Sequence, residues 1–198
     1  MRCLLFVVFI GFFSSINAQK NRETAYFASG CFWCVESIFE TVKGVLYAES
    51  GYCGGVLKNP TYEQVCTGKT GHAETVKVVY NPKEISYEKL LSVFFNSHDP
   101  STLNKQGPDE GTQYRSAIFY SSEAQKNASL AFIKDLENKK RFSKITTTVE
   151  PFSIFYKAEE YHQDFEKRNP TNPYVQAISI PRIKKFKKSN PQYLKKDE

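Results

Sequence analysis

The sequence predicts an α+β domain, built as a two-layer sandwich of helices packed on a central mixed sheet. Strand-like and helix-like segments follow one another without the regular alternation of a doubly wound sheet. Hydrophobic residues make up 40% of the chain, and 16 Phe and 12 Tyr supply large apolar side chains. A chain of 198 residues with this composition can bury a core in one domain without disulfides or metals.

Strands are expected where short apolar or alternating runs stop at Gly, Asn or Pro. These segments are 24–29, 45–52, 74–80, 116–120 and 146–150. Helices are expected where apolar residues recur at helical spacing, and Ser86 and Ser122 are suitable N-caps. The helical segments are 31–43, 86–95, 122–140 and 158–167.

Three further stretches are expected to be irregular. Residues 61–70 are polar and loop-like, and residues 171–198 combine several prolines with many lysines. Residues 97–113 form a long connection with two glycines and two prolines. A connection of that length inside a compact domain is often functional.

The first eighteen residues differ from the rest. Arg2 precedes an apolar run from Leu4 to Phe13, and small or polar residues lead to Ala18. This pattern predicts a signal peptide at 1–18 and an exported protein, periplasmic or secreted. The alternative is a retained anchor, but the run is too short to span a bilayer comfortably, so no stable membrane insertion is expected.

The net charge of +6 is concentrated at the C-terminus. Residues 181–198 hold seven basic and two acidic side chains, whereas residues 19–180 hold nineteen of each sign. We therefore expect a main domain over 19–180 and a solvated basic tail over 181–198. A tail of this kind gives little support to a nucleic-acid partner, and none is expected.

The segment Gly30-Cys31-Phe32-Trp33-Cys34 places a cysteine where a strand turns into a helix. Free N–H groups and the positive end of the helix dipole stabilise an anion there, which lowers the pKa of a thiol. Cys34 lies three residues on, on the same helical face, so it can meet an oxidised Cys31. The spacing predicts an attacking sulfur and a resolving sulfur.

Other interpretations of this segment remain open. The two cysteines can be half of a zinc site with Cys53 and Cys66, although the usual second close pair is absent. They can also form a thioredoxin-like redox motif, although the strand and helix order of that fold is missing. Phe32 and Trp33 suit an apolar substrate pocket or ordinary core packing.

Two later stretches carry further candidates. Glu74 opens a strand, where it is either a surface residue or an acid that keeps its proton in an apolar pocket. The loop that contains Gly107, Pro108 and Gly111 fixes Asp109 and Tyr114 in place. Each signal is weak alone.

Together, these stretches resemble the A-type peptide methionine sulfoxide reductases. Glu-Gly-Thr-Gln-Tyr-Arg-Ser and Gly-Cys-Phe-Trp are highly specific as a set, and the similarity covers about residues 24–175. The matching stretches, in family order, are 30–36, 50–55, 60–74, 96–100, 111–116 and 161–163. The resemblance implies the α+β two-layer fold, with a ferredoxin-like core.

The resemblance also implies the reaction, which reduces methionine S-sulfoxide, free or in proteins. Cys31 matches the nucleophile and Glu74 the acid that protonates the sulfoxide oxygen. Tyr62 and Tyr114 match phenols that hydrogen-bond that oxygen. Asp109 matches a carboxylate that helps to bind the rest of the substrate.

In the same comparison, Phe32 and Trp33 match the pocket for the substrate methyl group. Such a reaction uses thiols and requires no cofactor or metal. Some family members resolve the nucleophile with a cysteine near the C-terminus, but no cysteine follows Cys66 here. We therefore expect Cys34 to resolve Cys31 and a thioredoxin-like reductant to regenerate both thiols. Separately, the protein is expected to be a monomer.

The other two cysteines, Cys53 and Cys66, lie outside the Cys31–Cys34 motif. Cys66 matches a family cysteine that the mechanism does not require, and we expect it to be a small buried residue. Cys53 can pair with Cys66, act as a second resolving thiol or pack, and packing or a secondary redox role is favoured.

Overall fold

Six strands form the central sheet. The computed structural model describes residues 21–196, so the expected signal peptide at 1–18 lies outside the described residues. The strands are β1 (Glu23–Ser29), β2 (Val45–Cys53), β3 (Ala73–Tyr80), β6 (Ser116–Tyr120), β7 (Thr148–Pro151) and β8 (Tyr156–Lys157). Within the sheet they lie in the order β7-β6-β1-β3-β2-β8. A separate hairpin pairs β4 (Lys105–Gln106) with β5 (Asp109–Glu110).

Six α-helices accompany these strands in the described residues. They are α1 (Phe32–Glu40), α2 (Tyr62–Cys66), α3 (Tyr87–Ser97), α4 (Glu123–Asn138), α5 (Phe165–Arg168) and α6 (Ile180–Ser189). A π-helical turn, Val175–Ser179, leads directly into α6. No helix within residues 21–196 is both long and apolar enough to cross a membrane.

The α+β prediction is confirmed, including its ferredoxin-like core. β1, α1, β2, β3, α3 and β6 follow in sequence, and their strands take the order β6-β1-β3-β2 with antiparallel pairing throughout. β7 joins β6 in parallel, which makes the sheet mixed. Since β3 lies between β1 and β2, the start of β3 is next to the turn that ends β1.

The main core lies between the helices and one face of the sheet. Phe27 on β1 stacks with Phe39 of α1 at 5.2 Å and with Phe94 of α3 at 5.1 Å between ring centroids. All three rings are buried. Apolar burial of this size is the main favourable contribution to folding, and it fixes α1 across the sheet.

A tight turn connects β1 to α1. Gly30 has φ +85°, and a Cβ there would come within 2.6 Å of the Gln106 side chain. Only glycine combines this left-handed conformation with so close an approach. Cys31 follows as the N-cap of α1, so the helix begins where the sequence predicted, although it ends at Glu40 rather than at Lys43.

The expected N-caps are also confirmed. Ser86 accepts a hydrogen bond from the Lys89 N–H, and Ser122 accepts one from the Gln125 N–H. Two other expectations are wrong in detail. The polar stretch 61–70 contains α2, because Thr61 and Gln64 form a capping box. The expected helix at 158–167 is divided into a short 3₁₀ turn and α5, separated by Asp164 in a left-handed conformation.

The prediction of an irregular, solvated basic tail is wrong for most of residues 181–198. α6 covers the first part, and its Phe186 side chain is buried in the main core. Further on, Leu194 bridges Val42, and the Lys195 N–H donates to the Thr41 carbonyl. The lysines obscured an amphipathic pattern, so the domain extends beyond residue 180.

Candidate active site

The turn after β1 places Cys31 at the bottom of a pocket of about 320 Å³. The residues that line it are Cys31, Phe32, Trp33, Tyr62, Glu74, Asp109, Tyr114, Asn172 and Tyr174. Seven of the eight residues expected from the sequence therefore meet in one cavity, although α1, α2, β3 and the connection between α3 and β6 supply them. The eighth, Cys34, lies beneath the pocket on α1.

The environment of Cys31 differs from the expectation of a lowered pKa. The side chain is 6% exposed, and burial raises the pKa of the Cys31 thiol well above its ordinary value. Contact with the Cys34 thiol and the nearby Glu74 carboxyl group add to this rise, while the Trp33 N–H opposes it. Desolvation outweighs the helix terminus, so Cys31 rests as a neutral thiol.

Cys34 is fully buried beside Cys31. A hydrogen bond from Cys31 is the largest cause that lowers the pKa of Cys34, to about 6, against the opposing effect of burial. Its Sγ also lies 3.1 Å from Ser179 Oγ, and the nearby Arg182 guanidinium favours its thiolate. Both thiols are free in the structure.

Glu74 is a buried acid, and the surface alternative is wrong. The side chain is 2% exposed, and burial raises its pKa to about 8. Its Oε2 accepts a 3.0 Å hydrogen bond from the Phe32 N–H, which opposes that rise. Near neutral pH the carboxyl group therefore keeps a proton next to Cys31 and can donate it.

Two phenols face the acid from different elements. Tyr62 begins α2, and Tyr114 ends the 3₁₀ turn Thr112–Tyr114. Burial, reinforced by the nearby Glu74 carboxyl group, raises the pKa of both phenols. Both remain protonated hydrogen-bond donors over the working pH range.

Phe32 and Trp33 form an aromatic wall that lines the pocket and also packs against neighbouring side chains. Trp33 stacks on Phe165 with ring centroids 3.7 Å apart, and its Nε1–H donates to His162 Nδ1 at 3.0 Å. Phe32 is buried and lies 4.9 Å from the His162 ring between centroids. These contacts fix both rings, so the wall is preformed.

Three contributors to this site were not expected from the sequence. Tyr174 donates a 2.6 Å hydrogen bond to Asp109 Oδ2, and Asn172 lines the pocket near it. The polar, proline-containing stretch around them gave no chemical signal. Glu159 accepts bonds from the Tyr52 hydroxyl group at 2.8 Å and the Tyr62 N–H at 2.9 Å, which fixes the start of α2.

The remaining cysteines stand apart from the pair on α1. Cys53 is buried in a small cluster with Ala28, Ala73 and Phe119, which agrees with a packing role. Cys66 is exposed, so its expected burial is wrong, because α2 turns it toward solvent beside the Tyr62 hydroxyl group.

The four cysteines do not assemble the zinc site considered above. Within residues 21–196, three potential metal ligands converge only as a group of carboxylates, Glu36, Glu40 and Asp164.

Comparison with known proteins agrees with this geometry. The family model described as peptide methionine sulfoxide reductase matches residues 23–194. The peptide methionine sulfoxide reductase MsrA of Saccharolobus solfataricus is 46% identical over 173 residues, which cover 87% of this chain and 97% of that protein.

Solved structures give the same result. Reduced Mxr1 from Saccharomyces cerevisiae matches with a TM-score of 0.73 and 37% identity over 77% of this chain and 88% of that one. Mxr1 in complex with Trx2 matches with a TM-score of 0.53 and 28% identity over 72% of this chain and 85% of that one. By these matches, the chain belongs to the peptide methionine sulfoxide reductase family.

Proposed function

We propose that this protein reduces the S epimer of methionine sulfoxide, free or in proteins, with Cys31 as the nucleophile. The observation that carries the proposal is the buried Glu74 acid, which keeps a proton in the same pocket as the Cys31 thiol. A sulfoxide oxygen is a poor leaving group until it is protonated, so this pair is what the reaction requires.

In the first step, Cys31 sulfur attacks the sulfoxide sulfur while Glu74 gives its proton to the sulfoxide oxygen. The substrate sulfur–oxygen bond breaks, and the hydroxyl group ends on Cys31 as a sulfenic acid. The thiol proton of Cys31 restores Glu74, so the step releases methionine without net loss of a proton. Tyr62 and Tyr114 donate hydrogen bonds to the oxygen as it accumulates charge.

The two sides of the pocket bind different parts of the substrate. Phe32 and Trp33 form an apolar surface for the methyl group, held in place by the contacts of Trp33 with Phe165 and His162. Asp109 accepts polar groups of the substrate next to Tyr174. Recognition limited to the sulfoxide end of the side chain is compatible with both free and peptide-bound substrates.

In the second step, Cys34 attacks the sulfenic acid and a Cys31–Cys34 disulfide forms with release of water. The contact between the two thiols supports this assignment, because no other cysteine of the described residues lies against Cys31. A thioredoxin-like reductant then exchanges with the disulfide and returns both thiols. A structural relative was solved with Trx2, which supports a partner of that class.

The test is an epimer-resolved assay with the reduced protein and no added reductant. We expect one methionine per protein from the S epimer, none from the R epimer, and none from Cys31→Ser. Cys53→Ala is the matched control, because it removes a buried thiol outside the pocket, and it should retain the full yield. Methionine release by Cys31→Ser would overturn the role of Cys31.

The disulfide formed after one turnover tests the resolving step. Peptide mapping under acidic quench should find Cys31 joined to Cys34. A Cys31–Cys53 or Cys31–Cys66 bond as the main product would overturn the assignment of Cys34.

We also propose that the protein is exported and acts as a monomer. The leader over residues 1–18 supports export. N-terminal sequencing of the protein recovered from a bacterial periplasm should begin after Ala18, and sedimentation should give the mass of one chain. An intact leader in the recovered protein, or a dimer mass, would contradict these expectations.

A further inference from the structure

The C-terminal segment supplies a buried contact that the first step does not use. Ser179, the last residue of the π-helical turn, places its hydroxyl oxygen 3.1 Å from the Cys34 sulfur. Both side chains are fully buried. A buried hydroxyl group in contact with a buried thiol can form hydrogen bonds only to protein groups. The chemistry open to Ser179 therefore depends on the other protein group that it contacts.

That next partner is Glu166 on α5. Burial and the nearby Cys34 raise the pKa of its carboxyl group to about 7. The hydroxyl groups of Ser37 and Ser179 lie beside the carboxyl group and oppose this rise. Glu166 is 9% exposed, and its Oε1 has no hydrogen-bond partner in the part of the chain that the structure describes. A carboxyl group with unused accepting capacity is therefore one hydroxyl group away from Cys34.

We propose that Ser179 and Glu166 form a relay that positions the Cys34 thiol and takes up its proton during disulfide formation. This inference rests on the proposed function, in which Cys34 resolves Cys31. Ser179 contacts the Cys34 sulfur, a reacting atom of the second step, whereas Glu166 acts through Ser179 and is a positioning residue. Neither side chain lines the pocket that holds Cys31.

The Cys34 S–H bond breaks as its proton passes to Ser179, and the Ser179 hydroxyl proton passes to ionised Glu166. Cys34 sulfur bonds to Cys31 sulfur, and the Cys31 sulfur–oxygen bond breaks. The departing hydroxide takes a proton from Glu74 and leaves as water, so Cys34 is oxidised and Cys31 is reduced.

The relay becomes important only after the first step. In the reduced protein, the S–H group of Cys31 is the largest influence that favours the Cys34 thiolate. That S–H group no longer exists once Cys31 is a sulfenic acid. Burial of Cys34, no longer offset by that hydrogen bond, then favours the protonated thiol, so Cys34 takes up a proton from solvent and its activation depends on its other neighbours.

Several charged and titratable groups surround Cys34 besides this relay. Arg182 favours its thiolate and also contacts the carbonyl groups of Ser29 and Ser97 at 3.0 and 2.9 Å. The groups that interact electrostatically with it are Cys31, Glu74, Asp109, Glu166, Tyr174 and Arg182. Among the carboxyl groups, Glu166 alone is linked to Cys34 through the buried hydroxyl group of Ser179.

The experiment separates the two steps in a single turnover of the reduced full chain with methionine S-sulfoxide. Methionine release reports the first step, and loss of free thiols after acid quench and alkylation reports the second. Ser179→Val and Ser179→Thr are a matched pair with similar shape, but only Thr keeps the hydroxyl group. Glu40→Gln is the control for Glu166→Gln, because Glu40 is a carboxyl group paired with Lys167 rather than with Ser179.

We expect Ser179→Val and Glu166→Gln to slow disulfide formation at least about tenfold, while methionine release still amounts to one per chain. Ser179→Thr and Glu40→Gln should stay close to the parent rate. In the parent protein, disulfide formation should rise with pH through about 7 as Glu166 ionises, and Glu166→Gln should lose this rise. Because only folded protein releases methionine, the methionine yield measures the amount of folded protein in every variant.

Two results would overturn the relay. One is an unchanged rate of disulfide formation in both Ser179→Val and Glu166→Gln, and the other is an equal slowing in Ser179→Thr and Ser179→Val. The Cys34→Ser variant keeps this failure distinct from failure of the proposed function. If Cys34→Ser still forms an intramolecular disulfide at the parent rate, the assignment of Cys34 itself is wrong.

Discussion

The Phe32 N–H donates a 3.0 Å hydrogen bond to Glu74 Oε2. This bond joins the first residue of α1 to the start of β3, forty-two positions later in the chain. It uses one of the free N–H groups of the helix to orient the acid rather than the thiol. The helix terminus is thus shared between the two groups: the Phe32 N–H bonds to Glu74, while the Trp33 N–H acts on Cys31, where burial outweighs it and keeps the thiol neutral.

Glu74→Gln should reduce the rate of methionine release about 100-fold or more, because an amide cannot protonate the sulfoxide oxygen. In the parent protein, the same rate should fall as pH rises through about 8, where Glu74 loses its proton. Product analysis of acid-quenched time points across about pH 6 to 10 measures both effects. Glu49→Gln, a carboxyl group paired with Lys77 outside the pocket, should behave like the parent. A Glu74→Gln variant with parental activity would exclude Glu74 as the acid.

Tyr174→Phe should lower kcat/KM about 3- to 10-fold, mainly through a higher KM, because Asp109 loses the donor that orients it. Steady-state kinetics with a peptide substrate measure this change. Tyr120→Phe alters a phenol on β6 outside the pocket and serves as the control. If Tyr174→Phe lowered kcat alone, the bond would matter for the chemical step rather than for binding.

The sequence allowed the sheet, its α+β class and most pocket residues to be predicted, because those signals are local or belong to specific motifs. Ser86 and Ser122 show this for helix starts, since each cap depends on a residue three positions away. Cys31 shows the limit. Its location at the helix terminus was predictable, but its pKa depends on burial by distant segments, which reversed the expected direction.

The C-terminal third was predicted less well for a related reason. Tyr174, Ser179 and Phe186 acquire their roles only when the segment packs against α1 and the sheet. In the sequence, their neighbours are prolines and lysines, which suggest irregular, solvated chain. Tertiary contacts decide the outcome here, and the local pattern does not contain them.

Stability should fall as pH rises from 6.5 to 8. Burial raises the pKa of Glu74 to about 8 from its ordinary value of 4.5, so the folded state keeps a proton that the unfolded state has released. The free energy of unfolding therefore decreases with pH across this window, by at most about 1.4 kcal/mol per pH unit for this group. Glu36 and Glu166, raised to about 7, contribute with the same sign below that pH.

Urea unfolding of the reduced protein at several pH values measures this dependence. Glu74→Gln cannot ionise, so its free energy of unfolding should change less steeply with pH than that of the parent. His98 contributes with the opposite sign. Burial lowers its pKa to about 3 from 6.5, so the contribution of His98 to stability is lost as pH falls from 6.5 toward 3, and it is no longer offset by Glu74, Glu36 and Glu166 once pH is below their ordinary value of 4.5. Identical slopes for parent and Glu74→Gln above pH 6.5 would show that Glu74 is ionised in the folded protein.

Phe186→Ala should destabilise the protein by about 3 kcal/mol or more, because it removes a buried aromatic side chain from the main core. A solvated tail would give no such effect. Lys188→Ala, an exposed position on the same helix, should change the free energy of unfolding by less than about 0.5 kcal/mol. Denaturant unfolding of the three proteins measures the difference. Since α6 also carries Arg182 and follows Ser179, the loosened helix in Phe186→Ala should slow disulfide formation more than methionine release, and equal slowing of both steps would place α6 outside the resolving step.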